Sequence, residues 1–122
     1  MITERVWEKL QPLVQSALDH QDEYDFDAVK REVICNRAQV WQGESSVIIT
    51  QLNQHVDCKK CRIWLAAGDM TELVEKMLPE VEKWAKAEEC GGITIVGRKG
   101  WVKKLKSKGF YEPPLAMLEK EI

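Results

Sequence analysis

Apolar residues recur at helical spacing through Val6, Trp7, Leu10, Leu13, Val14, Ala17 and Leu18, and Thr3 stands where a hydroxyl can cap the helix start. The pattern predicts a first helix, kinked or restarted at Pro12, because proline supplies no N–H to the helical ladder. An acidic stretch follows, Asp19, Asp22, Glu23, Asp25 and Asp27 with Tyr24 and Phe26 among them. It reads as a solvated loop that caps a short second helix at 26–36. The period then drops to two. Segments 38–42, 46–52 and 61–67 are short, rich in β-branched or aromatic residues, and separated by turn residues. Gly43-Glu44-Ser45 suits one hairpin loop and 53–60 the next, which predicts an antiparallel meander.

The longest helix comes after it. Asp69 and Glu72 stand at capping-box spacing, and Met70, Leu73, Val74, Met77, Leu78, Val81, Trp84 and Ala85 form one apolar stripe of the kind that faces a core. Pro79 interrupts this stripe and Gly91-Gly92 is expected to end it. A buried strand at 93–97 follows, with 63–67 expected as its neighbour in one sheet. A short basic helix at 100–108 stops at Gly109, and Phe110-Tyr111 and 115–118 read as two last strands around Pro113-Pro114. The expected fold is α/β (α+β), with a mixed, mostly antiparallel sheet of about six strands and helices on both faces.

The 122 residues suit a single domain, 1–122, and 44 % hydrophobic with 31 % charged residues is globular composition. A net charge of −2 gives no overall attraction to nucleic acid or acidic lipid, so electrostatic function falls to local patches. No apolar run approaches the ~20 residues of a membrane span, and Met1-Ile2-Thr3-Glu4-Arg5-Val6 has neither the basic segment nor the apolar core of a secretory signal, so a cytoplasmic location is expected. Cys58 and Cys61 form a CxxC beside His55. A structural zinc needs four ligands, and only folding would bring Cys35 or Cys90 to the pair. The reading adopted is a polar hairpin turn that carries thiols, with no metal.

Arg98, Lys99, Lys103, Lys104, Lys106 and Lys108 put six cations and no acid into eleven residues. Such a run is either an anion site, for a coenzyme A phosphate, a nucleic acid or an acidic partner, or a solvated helix face. Trp101 pairs with Leu105 at i, i+4, as core residues do. Trp7, Trp64 and Trp84 also fall on apolar faces, whereas Trp41 ends a strand. His20 and His55 lie in polar segments, where surface placement is the simpler reading.

The element order, with the ending Trp101-Val102-Lys103-Lys104-Leu105-Lys106-Ser107-Lys108-Gly109-Phe110, resembles the GNAT superfamily of N-acetyltransferases. The segments 62–69 (RIWLAAGD) and 97–101 (GRKGW) resemble small GNAT-like proteins encoded by tailed bacteriophages, a likeness that covers roughly 37–120. The resemblance implies acetyl transfer from acetyl-CoA, which requires donors for the oxyanion and an acid for the leaving thiolate. It also implies a strand that pairs with pantetheine, here Ile63, Trp64, Leu65, Ala66 and Ala67. The pyrophosphate would sit on helix N-terminal amides at Gly68, Asp69, Met70 and Thr71, with Arg98 as a further coenzyme contact.

The chain departs from the family pattern at two places. Of the usual glycine-rich turn only Gly68 remains, and Asp69 sets a carboxylate where the pyrophosphate should bind. Leu105 stands at the position of the usual tyrosine acid, and neither Tyr24 nor Tyr111 is at the matching place. These departures favour a phage-type GNAT-fold protein without efficient catalysis, virion-associated or bound to a phage or host protein. The alternatives are an acetyl-CoA-dependent N-acetyltransferase acting on an amine, and nucleic-acid or anion binding through 98–108. Acetyl-CoA is expected only if the chain is catalytic.

Overall fold

The computed structural model describes residues 2–19, 24–96, 99–116 and 118–122. Its first helix, α1 (Glu4–Leu18), begins where the Thr3 hydroxyl accepts the Val6 N–H, as its sequence predicts. Trp7, Leu10, Val14 and Leu18 make its buried stripe. Pro12 does not break it. Burial of that stripe outweighs the one lost hydrogen bond, and the carbonyl left over belongs to exposed Glu8, where water can reach it. The Asp25 carboxylate caps α2 (Phe26–Ile34) by accepting the Ala28 N–H at 2.8 Å.

The meander follows as β1 (Gln39–Gln42), β2 (Val47–Gln54) and β3 (Lys59–Ala67), all antiparallel. A crossover then leads to β4 (Gly92–Ile95), which lies parallel to β3 with Ile63 opposite Ile95. The sheet order is β1-β2-β3-β4. Four strands are described where about six were expected. Residues 110–111 and the described part of 115–118 form no strand, because two successive prolines stiffen the chain between them and remove two ladder donors.

Alternation along β2 sends Val47 and Ile49 into a core shared with α1 and α2, and Ile48 into a second core on the opposite face. β3 shifts phase midway. Ile49 pairs with Leu65 but Thr50 pairs with Ile63, so Trp64 is an extra residue in β3, a β-bulge. Cys61 and Ile63 therefore face the second core, while Trp64 and Leu65 both enter the first.

The crossover begins with a π-helical turn, Glu72–Met77, and runs on as α3 (Leu78–Ala87). The Leu78 N–H bonds the Leu73 carbonyl five residues back, and Pro79 next to it has no N–H with which to continue that ladder. Gly91-Gly92 does not end α3. Glu89 does, at φ 62°, with the Cys90 N–H returning to the Ala85 carbonyl. Gly91 instead admits the Cys58 side chain, whose Sγ lies 3.3 Å from where a Cβ would sit. α4 (Lys99–Lys106) closes at Gly109, φ 92°, as expected, with the Phe110 N–H bonded to Leu105 O. No helix among the described residues is long and apolar enough to cross a membrane.

Candidate functional site

β3 outruns its parallel partner. Pairing with β4 stops at Ile63 and Ile95, so among the described residues 64–67 continue without a strand on that side and run directly into the turn at Gly68. A strand edge left open beside a helix N-terminus is a common place for an extended, anionic ligand.

The turn is tightly built. Gly68 has φ 122°, and a Cβ there would lie 2.3 Å from the Ser45 carbonyl and 2.5 Å from Ser46 Cα. That closeness sets the first hairpin against the helix start, and the hydrogen bonds follow from it. The Asp69 N–H donates to Ser46 Oγ at 2.9 Å, and the Asp69 carboxylate accepts the Glu72 N–H at 3.0 Å. Asp69 thus caps the helix, as its spacing predicts. Glu72 does not complete a capping box. Its carboxylate turns to the hairpin and accepts the Glu44 and Ser45 N–H groups at 2.7 and 2.9 Å. The Ser46 hydroxyl, then the Ser45 and Glu44 amides, hold the Glu72 carboxyl below the usual carboxylate range. The first-turn amides not taken by these contacts are those of Met70 and Thr71.

Apart from Arg98, the residues predicted to hold a cofactor form one continuous run, but their side chains part. Ile63 is buried and Ala66 half-buried on the second core, and Leu65 is buried in the first. Trp64 is 8 % exposed with its ring edge-on to Tyr24 at 5.2 Å, and its indole N–H has no hydrogen-bond partner among the described residues. Met70 packs on the second core, and Thr71 is exposed. Arg98 lies outside the described residues, as does His20.

Beside the end of this pairing the space is filled. Ile63, Ala66, Ile95, Trp101 and Leu105 surround a cavity of about 10 Å³, room for a single water at most. Leu105, which the family resemblance aligns with the usual acid, is 3 % exposed. Tyr24 is turned to the first core, and Tyr111 is 82 % exposed beyond Gly109. The described lysines of α4 that follow Trp101 point outward, and Lys108 past the helix pairs with Glu75 at 3.0 Å. Among the described residues, no three His, Cys, Asp or Glu side chains are placed to hold a metal ion. Burial and the neighbouring Cys90 push the Cys61 thiol up to about 11, the opposite of what a reactive CxxC requires.

Two participants escaped sequence reasoning. Ser46 reads only as the start of a strand, and its partner lies 23 residues away. Glu72 carries a local signal, the capping-box spacing, that points to a different bond from the ones it makes.

No protein-family model matches the sequence, and no curated protein matches it. Solved structures do match. A predicted acetyltransferase with acetyl-CoA from Clostridium acetobutylicum aligns over 98 % of this chain and 92 % of its own, at 13 % identity and a TM-score of 0.75. The ribosomal-protein-alanine N-acetyltransferase of Brucella melitensis biovar Abortus 2308 aligns over 99 % and 96 %, at 9 % identity and 0.73. A transcriptional regulator from Bacillus halodurans C-125 aligns over 99 % and 96 %, at 10 % identity and 0.70. At such identities the likeness is one of architecture, and the architecture of this chain is the GNAT-like α+β fold of acetyltransferases.

Proposed function

We propose that this chain uses an acetyltransferase fold to bind a partner and does not transfer acetyl groups efficiently. The observation that carries this reading is the closed helix start. Asp69 occupies the Glu72 amide and Ser46 occupies the Asp69 amide, so a negative charge sits where the coenzyme pyrophosphate would need donors. The turn does not fit that anion. Leu105 adds a second reason, since an aliphatic side chain buried in the core cannot protonate a leaving thiolate. A phage or host protein is the partner class that the phage-type resemblance suggests, with virion association as its most specific form. Nucleic-acid binding through 98–108 is the weaker variant, because Lys108 is already paired with Glu75.

The β4-side edge of 64–67, paired with no described strand, favours one alternative, an acetyl-CoA-dependent N-acetyltransferase. Its open edge could take an extended pantetheine, and the Clostridium acetobutylicum structure of similar fold contains acetyl-CoA. Calorimetric titration with acetyl-CoA separates the two readings. No binding heat is expected; saturable binding with release of coenzyme A to an amine acceptor would establish the enzyme.

A further inference from the structure

Cys58 and Cys61 are poor partners for each other. Three residues of extended chain span about 10 Å, whereas a disulfide needs Cα atoms no more than about 7 Å apart. Cys61 is also fully buried. Another cysteine is better placed for Cys58. β3 and β4 run parallel with Lys60 opposite Gly92, and the Gly91 N–H, donating to the Lys59 carbonyl at 2.7 Å, carries the ladder further back. One more step of the same register sets Cys58 opposite Cys90. Adjacent strands lie about 4.8 Å apart, within the range of about 4.4–6.8 Å that separates the Cα atoms of a disulfide.

The Cys58 side chain is turned toward this partner. Its Cβ and Sγ lie 3.2 and 3.3 Å from where a Cβ on Gly91 would sit, so the thiol stands against the residue next to Cys90. Both backbones are held in place. The His55 N–H donates to the Cys58 carbonyl at 2.8 Å, and the Cys90 N–H to the Ala85 carbonyl at 2.9 Å. Both cysteines are free and half-buried, and Cys90 lines an open groove of about 660 Å³ between α3 and α4, so a small reagent can reach the pair. The thiols also feel one another: burial first, opposed by Lys59 and reinforced by Glu88 and Cys58, raises the Cys90 thiol above its ordinary value.

We infer that Cys58 and Cys90 form a thiol–disulfide exchange site, which a small-molecule disulfide oxidises to a bond that fastens the β2–β3 hairpin to the start of β4. The Cys58 thiolate attacks one sulfur of the reagent, giving a mixed disulfide and one reagent thiolate. The Cys90 thiolate then attacks Cys58 Sγ, forming the bond between them and releasing the second reagent thiolate. The two protons lost by the cysteines end on the reagent, which becomes two thiols as the protein gives up two electrons. The bond closes a loop of about 30 residues containing β3 and α3, so it restricts the unfolded chain and stabilises the folded one. The site lies at the opposite end of the β3–β4 pair from Gly68 and Asp69, and it stands without the acetyl-CoA reading.

Oxidised glutathione is the probe, applied to the reduced full chain. After remaining thiols are alkylated, peptide mass mapping should find Cys58 joined to Cys90, with Cys61 alkylated only once the protein is unfolded. The oxidised protein should melt higher than the reduced one by on the order of 10 °C, and a thiol reductant should reverse the shift. Cys58→Ser and Cys90→Ser should each abolish it, with circular dichroism reporting their fold, while Cys35→Ser should retain it. If Cys90→Ser does not fold, Cys58→Ser and the wild-type map decide. A glutathione adduct on Cys58 that never closes onto Cys90 would overturn the inference. So would a bond between Cys58 and Cys61, or a stabilisation that survives Cys58→Ser.

Discussion

Ser46 and Asp69 are joined by two hydrogen bonds: the Asp69 N–H donates to Ser46 Oγ at 2.9 Å, and the single hydroxyl hydrogen of Ser46 is shared between the Asp69 carbonyl, at 3.4 Å, and the Glu72 carboxylate. Ser46 itself is 1 % exposed. Ser46→Ala strips both bonds from the turn and is expected to cost about 1–2 kcal/mol, the lower part of the range for an unpaired buried amide, because Asp69 is exposed. Urea unfolding measures this as a lower midpoint at unchanged m-value.

Two glycines should respond to alanine with opposite signs. Gly68 holds φ 122° with the Ser45 carbonyl 2.3 Å from where a Cβ would go, so Gly68→Ala should destabilise by at least about 1–3 kcal/mol. Gly100 lies within α4 with no atom inside 4 Å of its would-be Cβ, and Gly100→Ala should stabilise by about 0.5–1 kcal/mol. Thermal melts of the two variants side by side check the contrast.

Glu72 predicts a pH dependence. Its carboxyl is held below the ordinary value by the Ser46 hydroxyl and then by the Ser45 and Glu44 amides. A folded-state pKa lower than the unfolded one contributes stability that is complete above the unfolded pKa and is lost as pH falls through the folded one. Glu72→Gln should therefore be less stable at neutral pH and should lose less on acidification through the carboxylate range. Urea midpoints against pH for both proteins give the test; parallel curves would assign the acid sensitivity to other groups.

Much of this architecture is legible from periodicity, because α1 and α3 each carry an apolar stripe that one face can bury, and β2 is a short apolar run that two cores share. The Trp64 bulge is not, since Trp64 and Leu65 break the alternation only in relation to the register of β2. The expected strands at 110–111 and 115–118 have strand-like composition, yet a strand exists only when an edge receives it, and composition says nothing of that. At the site, the Asp69 cap is local and readable. The Ser46 bond and the turn of Glu72 toward the hairpin depend on how closely Gly68 lets two distant segments approach.

The thiols should divide sharply. Cys35 is exposed, whereas Cys61 is fully buried and its thiol is pushed up to about 11, first by burial and then by Cys90. Only thiolate attacks a disulfide reagent, so at mildly alkaline pH Cys35 should react first and Cys61 only after unfolding. Mass spectrometry of peptides from a timed labelling series reads the order. Early labelling of Cys61 would show that the start of β3 opens readily.

Asp69 makes the sharpest claim about the cleft. A ligand present at a hundred times its dissociation constant, binding only the folded protein, adds about 2.7 kcal/mol of stability. In a chain of this size that is a rise in Tm on the order of 10 °C. The wild type is expected to show little or none of it with millimolar acetyl-CoA, because the carboxylate that caps Glu72 repels a second anion. Asp69→Gly loses the cap at a cost of a few tenths of a kcal/mol and removes a repulsion of about 0.3–1 kcal/mol, so any coenzyme binding should tighten by up to about fivefold. Turnover should stay negligible in that variant, since Leu105, which the family resemblance aligns with the usual acid, has no proton to give. A shift in Asp69→Gly alone would place a working phosphate cradle behind a blocking charge. A full shift already in the wild type, with coenzyme A released to an amine, would show that the Met70 and Thr71 amides suffice and that the acid is supplied by a group other than Leu105.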